Sequence, residues 1–179
     1  MKADGAPDWL PDLVPFDWND YGASVERAYA VFWRDFGTAQ GRPAFRGKRM
    51  GLKQLPEFEG KCATFWHFVT EGAVEAKRTP DRERIERIAW PKAMLLEAGP
   101  WSDPSPVVAP VGPPRILLWS TQRQTATRWV VSLPDFSYVV VIDERENFVL
   151  PWTAFCVVQG HRREKLRKEY ESWRSARKS

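Results

Sequence analysis

One histidine and two arginines are the residues of this sequence best suited to move protons and hold an anion. His67 is one of two histidines, and an imidazole, with a reference pKa of roughly 6.5, exchanges protons near neutral pH. Arg84 and Arg87 are spaced about one helical turn apart, and each guanidinium offers a planar fork of N–H donors that matches phosphate oxygens. Together these residue types predict acid/base chemistry on a phosphate group.

One hydroxyl and two carboxylates extend this candidate set. Thr153 can donate a hydrogen bond to a phosphate oxygen, and Glu71 and Glu86 are possible general bases. Cleavage of RNA without a metal requires removal of a proton from a ribose 2′-OH, stabilisation of charge on the phosphoryl oxygens and protonation of the leaving 5′ oxygen. The predicted catalytic set is therefore His67 as acid/base, Arg84 and Arg87 as phosphate clamps, and Thr153 as an orienting donor.

Each candidate also has an ordinary structural explanation. A histidine on a half-buried strand often only packs, and threonine is a favoured strand residue. Glu83 with Arg87, and Arg82 with Glu86, are spaced for i,i+4 ion pairs on a helix. The residues alone leave the two explanations open.

Hydrophobic spacing predicts the helices and the histidine strand. Residues 24–36 fit an amphipathic helix, and residues 63–69 fit a strand with His67 on an apolar face. Thr79 can cap a helix that runs to about Trp90, after which Pro91 kinks it or starts a second piece that ends at Gly99-Pro100.

The second half of the chain predicts a sheet followed by a helix. Short connections between the apolar segments indicate an antiparallel meander, and Pro151 favours an edge strand or a bulge beside Thr153. The proline-rich residues 102–114 indicate a surface connection. The fold class is α+β, with N-terminal helices packed on a four-to-five-stranded antiparallel meander sheet and a basic C-terminal helix. The predicted strands are residues 116–119, 128–133, 138–142 and 148–158.

The charge of the chain is unevenly distributed. With 179 residues the chain fits one domain, and its net charge of +4 divides into −4 for residues 1–20, +3 for residues 21–160 and +5 for residues 161–179. Residues 42–53 are basic with no acid. Several basic clusters in one small domain favour binding of a polyanion over the alternative that each cluster is only a solvated surface. The predicted RNA- and phosphate-binding residues are Arg46, Lys48, Arg49, Arg78, Arg128, Arg162 and Arg163.

Several classes of protein are disfavoured. No window approaches the roughly 18 apolar residues of a membrane span, and the N-terminus does not read as a signal peptide, so a cytoplasmic location is expected. Cys62 and Cys156 are far apart and lack a CxxC partner, which indicates core thiols rather than a disulfide or a zinc site. No metal and no cofactor are predicted.

Six segments in a fixed order resemble a known group of proteins. Over about residues 45–172 the chain is similar to phage and prophage proteins grouped with the barnase, EndoU, colicin and RelE-like nucleases. This resemblance implies that residues 21–160 form an RNase-like α+β domain with metal-independent endoribonuclease activity. The segments are Phe65-Trp66-His67, Arg78-Thr79-Pro80-Asp81, and residues 84–91, 128–145, 150–155 and 161–170.

Three functions follow as hypotheses. The leading one is a metal-independent endoribonuclease, toxin-like or phage-encoded, with RNA as substrate and with an antitoxin or immunity protein as a candidate partner. The alternatives are a non-catalytic nucleic-acid-binding module and a phage–host interaction protein. A related hypothesis is that the acidic, aromatic leader of residues 1–20 covers the basic groove and restrains activity.

Overall fold

The computed structural model describes residues 1–102, 114–123 and 126–177. In these ranges the chain is an α+β fold with a mixed five-stranded sheet and a separate two-stranded hairpin. The helices are α1 (Tyr21–Phe32), α2 (Ala63–Val69), α3 (Arg82–Glu86), α4 (Trp90–Ser102) and α5 (Gly160–Ser175). The strands are β1 (Arg49–Met50), β2 (Thr70–Glu71), β3 (Thr79–Pro80), β4 (Leu117–Arg123), β5 (Ala126–Ser132), β6 (Tyr138–Glu144) and β7 (Phe148–Cys156).

The large sheet has the order β1-β7-β6-β5-β4. The strands β4 to β7 pair with their sequence neighbours in antiparallel fashion, because their β-branched and aromatic residues alternate between two buried faces. The strand β1 instead pairs with the start of β7 in parallel, so the predicted wholly antiparallel sheet is wrong. A strand of only two residues has no periodic pattern by which the sequence could have revealed it.

A bulge interrupts β7 at Trp152. The pairing with β6 passes from Val141 opposite Thr153 to Ile142 opposite Pro151, which leaves Trp152 as the extra residue. A proline has no N–H to give to the ladder, so a break in register at this point is expected. The predicted bulge is confirmed.

The first helix is close to its predicted extent. The predicted helix over residues 24–36 begins at Tyr21, continues as α-helix to Phe32 and ends in a π-helical turn, Trp33–Gly37. Its buried side chains, Val25, Ala28 and Phe32, follow the spacing of one helical face.

The predicted histidine strand is wrong, because residues 63–69 form the helix α2. Phe65, Phe68 and Val69 are buried in the main core, and their i, i+3, i+4 spacing fits one helical face as well as their aromatic content fits a strand. Packing of α2 against β7 and the other helices decides between the two patterns.

The two helices after the histidine also differ from the prediction. Asp81, not Thr79, caps α3 by accepting a hydrogen bond from the backbone N–H of Arg84 at 3.2 Å, while Thr79 and Pro80 pair with β2. The helix α4 begins at Trp90, with Pro91 in its first turn, and continues beyond Gly99-Pro100 to Ser102. A proline in a first turn replaces no intrahelical hydrogen bond, so it starts α4 without strain.

The sheet is covered on both faces. The first four helices enclose the main core with the inward side chains of β5, β6 and β7. On the opposite face, Leu166, Tyr170 and Trp173 of α5 pack on a smaller cluster that includes Trp119 and Phe136. Positions 166, 170 and 173 are spaced along one face of a helix.

The leader is part of the packed molecule. Leu10 is 1% exposed, the carbonyl of Pro11 accepts a hydrogen bond from Trp90 Nε1 at 3.0 Å, and Val14 N donates to the carbonyl of Glu86 at 2.8 Å. The predicted connection over residues 102–114 lies almost wholly outside the described residues. In the part of the chain that the structure describes, every helix is too short or too polar to cross a bilayer.

Candidate functional site

A histidine–glutamate pair lies at the C-terminal end of α2. His67 Nε2 is 2.9 Å from each carboxylate oxygen of Glu75. Glu75 belongs to a short 3-10 turn, Glu75–Lys77, which the hairpin of β2 and β3 folds back beside the helix. The imidazole is buried, with His67 4% exposed, whereas the Glu75 side chain is 41% exposed. The carboxylate is therefore the part of the pair that solvent or a ligand reaches.

The indole of Trp152 packs against the imidazole of His67. The ring of Trp152 meets the His67 ring edge-on at 5.2 Å between centroids. Lys53 Nζ and the Arg128 guanidinium carbon each lie 5.5 Å from the Trp152 ring centroid, close enough for attraction between a cation and the aromatic face. Because Trp152 is the bulged residue of β7, the bulge directs this ring toward α2.

Three cations lie close to this indole or next to its neighbours, and each pairs with a carboxylate. Lys53 Nζ lies 3.7 Å from a Glu75 carboxylate oxygen. Arg128 contacts the buried Asp143 through two nitrogens, at 2.8 and 3.3 Å, and Arg145 lies 3.5 Å from the same carboxylate. The three cations are all partly exposed, and a guanidinium has five N–H donors, more than one carboxylate uses. We call these residues the Trp152 cluster: Lys53, His67, Glu75, Arg128, Asp143, Arg145 and Trp152.

The charge of the cluster keeps Glu75 ionised. Partial burial by itself raises the pKa of Glu75, but the hydrogen bond and charge of His67 and the charges of Lys53 and Arg78 outweigh it. The pKa of Glu75 consequently lies below its ordinary value. At neutral pH the partly exposed carboxylate is therefore ionised, which is the form that can accept a proton.

Two of the predicted phosphate ligands instead cap the end of α2. Arg84 Nη1 donates to the carbonyl of Thr70 at 2.8 Å and to the Thr153 hydroxyl at 3.2 Å, and Arg84 Nε donates to Asp81 at 3.0 Å. Arg78 donates to the carbonyls of Thr70 and Gly72. The last carbonyls of a helix lack intrahelical partners and carry partial negative charge, so arginines stabilise them. Burial, followed by the charge of Arg84, lowers the pKa of Arg78.

Thr153 joins this cap to the histidine. Its hydroxyl donates to the backbone carbonyl of His67 at 3.0 Å while it accepts from Arg84. The structure therefore brings His67, Arg84 and Thr153 together, but through the backbone of His67. Its imidazole faces Glu75 and Trp152.

Arg87 lies on a different surface. Its guanidinium packs over the Trp90 ring at 5.2 Å and donates to the carbonyl of Glu83 at 3.1 Å. It lines a pocket shared with residues 3–7 of the leader, with Cys156 and with Arg163. Ile85 and Ile88 bury one face of this segment and leave Arg87 on the leader side, away from His67. The role of Arg87 as a phosphate clamp stays a prediction. Residues 3–7 of the leader therefore lie beside Arg87, whereas Glu75 lines a different pocket.

The remaining predicted phosphate ligands are distributed over the surface. Arg46 and Lys48 contact Glu144 at 3.4 and 2.9 Å, and Arg49 is exposed. Arg163 donates to the carbonyl of Val157 at 2.6 Å. The set also includes Arg162, which is exposed and lines a groove with Arg84 and Phe155. Of the predicted set, Arg128 alone belongs to the Trp152 cluster.

Sequence reasoning missed Glu75, Lys53 and Trp152. The two candidate bases that it named lie elsewhere: Glu86 pairs with Arg82 at 2.9 Å, and Glu71 belongs to β2. The position of Glu75 depends on Gly72, whose φ of +129° reverses the chain after α2 and is readily adopted only by glycine. The one sequence feature that could have indicated this pair is Gly72, which lies between His67 and Glu75.

The two cysteines are separate from the Trp152 cluster. Cys62 and Cys156 are free thiols, and burial raises the pKa of Cys156 to about 12. Within residues 1–102, 114–123 and 126–177, no three His, Cys, Asp or Glu side chains are grouped to hold a metal ion.

Comparison with known proteins gives no relative from which a function can be transferred. No family model, no curated protein and no solved structure matches this chain. The similarity to the barnase, EndoU, colicin and RelE-like nucleases stays a prediction, and the function rests on the geometry of the Trp152 cluster.

Proposed function

We propose that this chain is a metal-independent endoribonuclease whose proton-transfer group is the His67–Glu75 pair. The observation that carries the proposal is the contact of His67 Nε2 with both oxygens of a partly exposed carboxylate, at 2.9 Å each, beside the cation of Lys53. An oriented, ionised carboxylate next to fixed positive charge is what attack by a ribose 2′-OH requires.

The groups of the cluster take distinct roles in this proposal. Glu75 accepts the proton of the 2′-OH, and the buried His67 orients the carboxylate and stabilises its charge. Lys53 and Arg128 attract the phosphoryl oxygens, with Trp152 fixing the position of both cations. The 2′ oxygen then attacks the adjacent phosphorus, and the 5′ oxygen leaves with a proton donated by Lys53. The products are a 2′,3′-cyclic phosphate and a 5′-hydroxyl end.

The basic segments supply long-range attraction for RNA in this proposal. The C-terminal helix exposes Arg162, Lys165 and Lys168, and the loop over residues 42–53 adds further positive charge. Such charges raise the rate of encounter with a polyanion and make binding salt-dependent. RNA as the partner and a cytoplasmic place of action belong to the same proposal.

Two matched glutamine variants test the proposed base. Purified wild type, Glu75→Gln and Glu71→Gln are incubated with single-stranded RNA in excess EDTA. We expect Glu75→Gln to cut the rate by about 100-fold or more, as for the loss of a general base. Glu71 is on the same hairpin, and its variant should stay near wild type. Equal rates for the two variants, or cleavage only when magnesium is added, would overturn the proposal.

A non-catalytic nucleic-acid-binding module is the second candidate. It is favoured by the burial of the imidazole and by the use of Arg78 and Arg84 as caps of α2. In that case the protein should bind single-stranded RNA with a strong salt dependence and yield no product with EDTA or with magnesium. A gel-shift titration beside the cleavage assay separates the two functions.

A further inference from the structure

A cavity opens next to the exposed side of Glu75. It has a volume of about 590 Å³, and Glu75, Arg78 and Trp66 form part of its wall. Its other walls come from α1 and from the loop before α2, which contribute Tyr21 and Phe58. Glu57 and Glu59 also line it. The cavity and the Trp152 cluster therefore meet at one residue, Glu75.

A tight turn holds the aromatic wall in place. Phe58 and Lys61 exchange two backbone hydrogen bonds, at 3.1 and 3.0 Å, around Glu59 and Gly60, which both have positive φ. Trp66 Nε1 donates to the carbonyl of Phe58 at 2.9 Å, and the two rings meet edge-on at 5.3 Å. The Phe58 side chain nevertheless stays exposed, at 60%.

The aromatic surface continues beyond the cavity. Tyr21 stacks on Trp18 with an interplanar angle of 14° and a centroid distance of 6.0 Å. Trp18 is 57% exposed. Exposed rings fixed in this way are the kind of surface on which unpaired bases stack.

The polar groups of the cavity are mainly hydrogen-bond acceptors. Glu57, Glu59 and Glu75 bring three carboxylates, while Arg78 uses its donors on the backbone of Thr70 and Gly72. Carboxylates repel a phosphate but accept hydrogen bonds from an exocyclic amino group of a base. Burial, with a smaller effect of the Glu59 charge, raises the pKa of the Tyr21 phenol, so this cavity residue is neutral and can donate or accept a hydrogen bond.

We propose that this cavity binds one unpaired nucleobase carrying an exocyclic amino group, while the adjoining phosphate lies on Lys53 and Arg128. The inference rests on the proposed endoribonuclease function and adds a base preference to it. Cytosine, adenine and guanine each carry such an amino group and fit the acceptor-rich wall. Uracil presents a carbonyl where cytosine has its amino group, and this carbonyl faces the carboxylates unfavourably.

Minimal pairs of substrate test the preference. The substrates are DNA oligonucleotides with a single ribonucleotide, cytidine or uridine in one pair and adenosine or purine riboside in the other. The varied base is placed first at the ribonucleotide and then at the nucleotide 3′ to it. We expect kcat/KM to favour the amino-bearing member by about tenfold at one of these positions. The double variant Glu57→Gln, Glu59→Gln should lose most of this preference, and Glu146→Gln, an exposed glutamate outside the cavity, should keep it.

A binding measurement separates failure of the base site from failure of the nuclease function. Cytidine and uridine monophosphate are titrated into the wild type and into Phe58→Leu and Phe148→Leu, and the indole signal of Trp66 is followed by NMR. Stronger binding of the cytidine nucleotide that weakens only in Phe58→Leu supports the site even if no RNA is cleaved. The inference would be overturned by equal kcat/KM for the two members of each substrate pair, or by a preference that is unchanged in the double variant. Equal binding of the cytidine and uridine nucleotides would also overturn it.

Discussion

Glu75 is the side chain on which the proposed chemistry depends. Its carboxylate touches the imidazole of His67 and the ammonium of Lys53, and it also forms part of the wall of the aromatic cavity. No other carboxylate in the described ranges contacts His67. In the proposed mechanism the histidine orients this carboxylate, and Glu75 is the accessible proton acceptor.

The stability contributed by Glu75 should depend on pH. Its pKa in the folded state lies below the ordinary value of 4.5, so the ionised carboxylate stabilises the fold above that value, and the contribution is lost as pH falls through the folded-state pKa. The Tm of the wild type should exceed that of Glu75→Gln near neutral pH, and the two should converge below pH 4.5. Scanning calorimetry over this range tests the prediction, and a Tm difference that does not change with pH would contradict it.

Thr153 should act through position and stability. Thr153→Val removes the donor to the carbonyl of His67 and one of the acceptors for Arg84, and loss of a partner for a partly buried polar group costs about 1–3 kcal/mol. Urea unfolding should show this loss, whereas Thr127→Val, which breaks an exposed contact with Gln122, should change little. If Thr153→Val unfolds like the wild type, the hydroxyl does not join β7 to α2.

At the scale of elements, the junction of α2 with its hairpin places the pair. The helix must end at Val69 for the chain to turn at Gly72 and return Glu75 to His67. The cap formed by Arg78 and Arg84 fixes that end. The arginines selected from the sequence for phosphate binding therefore serve the site indirectly.

A substitution at Gly72 should disturb this junction. A Cβ at this position would lie 3.2 Å from the Cα of Arg78, and the φ of +129° is unfavourable for any other residue. We expect Gly72→Ala to lower the free energy of unfolding by more than about 1 kcal/mol and to reduce RNA cleavage by moving Glu75. Gly22→Ala, which meets nothing within 4 Å in α1, is the control, and it should keep full activity. Equal activity of both variants would show that the turn does not position Glu75.

The same elements show how far sequence reasoning extends. The four meander strands start within two residues of their predicted positions, because runs such as Val139 to Ile142 alternate between two buried faces. The helix α2 was missed because its seven residues are rich in aromatic side chains, and their spacing fits a helix as well as a strand. The pairing of Glu75 with His67 was missed because it depends on a turn and not on a periodic pattern.

At the scale of the whole molecule, the leader acts as a structural segment. It buries Leu10 and bonds to Trp90 and to the carbonyl of Glu86, and its residues 3–7 lie beside Arg87, whereas Glu75 lines a different pocket. We therefore expect deletion of residues 1–15, which keeps Trp18 beside Tyr21, to lower the Tm and to leave RNA turnover per folded molecule unchanged. A rise in turnover, measured below the Tm of the truncated protein, would restore the hypothesis that the leader restrains activity.

The identity of the RNA ends tests the central claim most directly. If Glu75 activates a 2′-OH, the wild type in excess EDTA must yield fragments ending in a 2′,3′-cyclic phosphate and a 5′-hydroxyl. Mass spectrometry of a single-ribonucleotide substrate detects both ends. We predict these ends for the wild type and for Glu71→Gln, and almost none for Glu75→Gln. Ends with a 5′-phosphate, or cyclic phosphate formed equally by Glu75→Gln, would contradict the assignment of the His67–Glu75 pair.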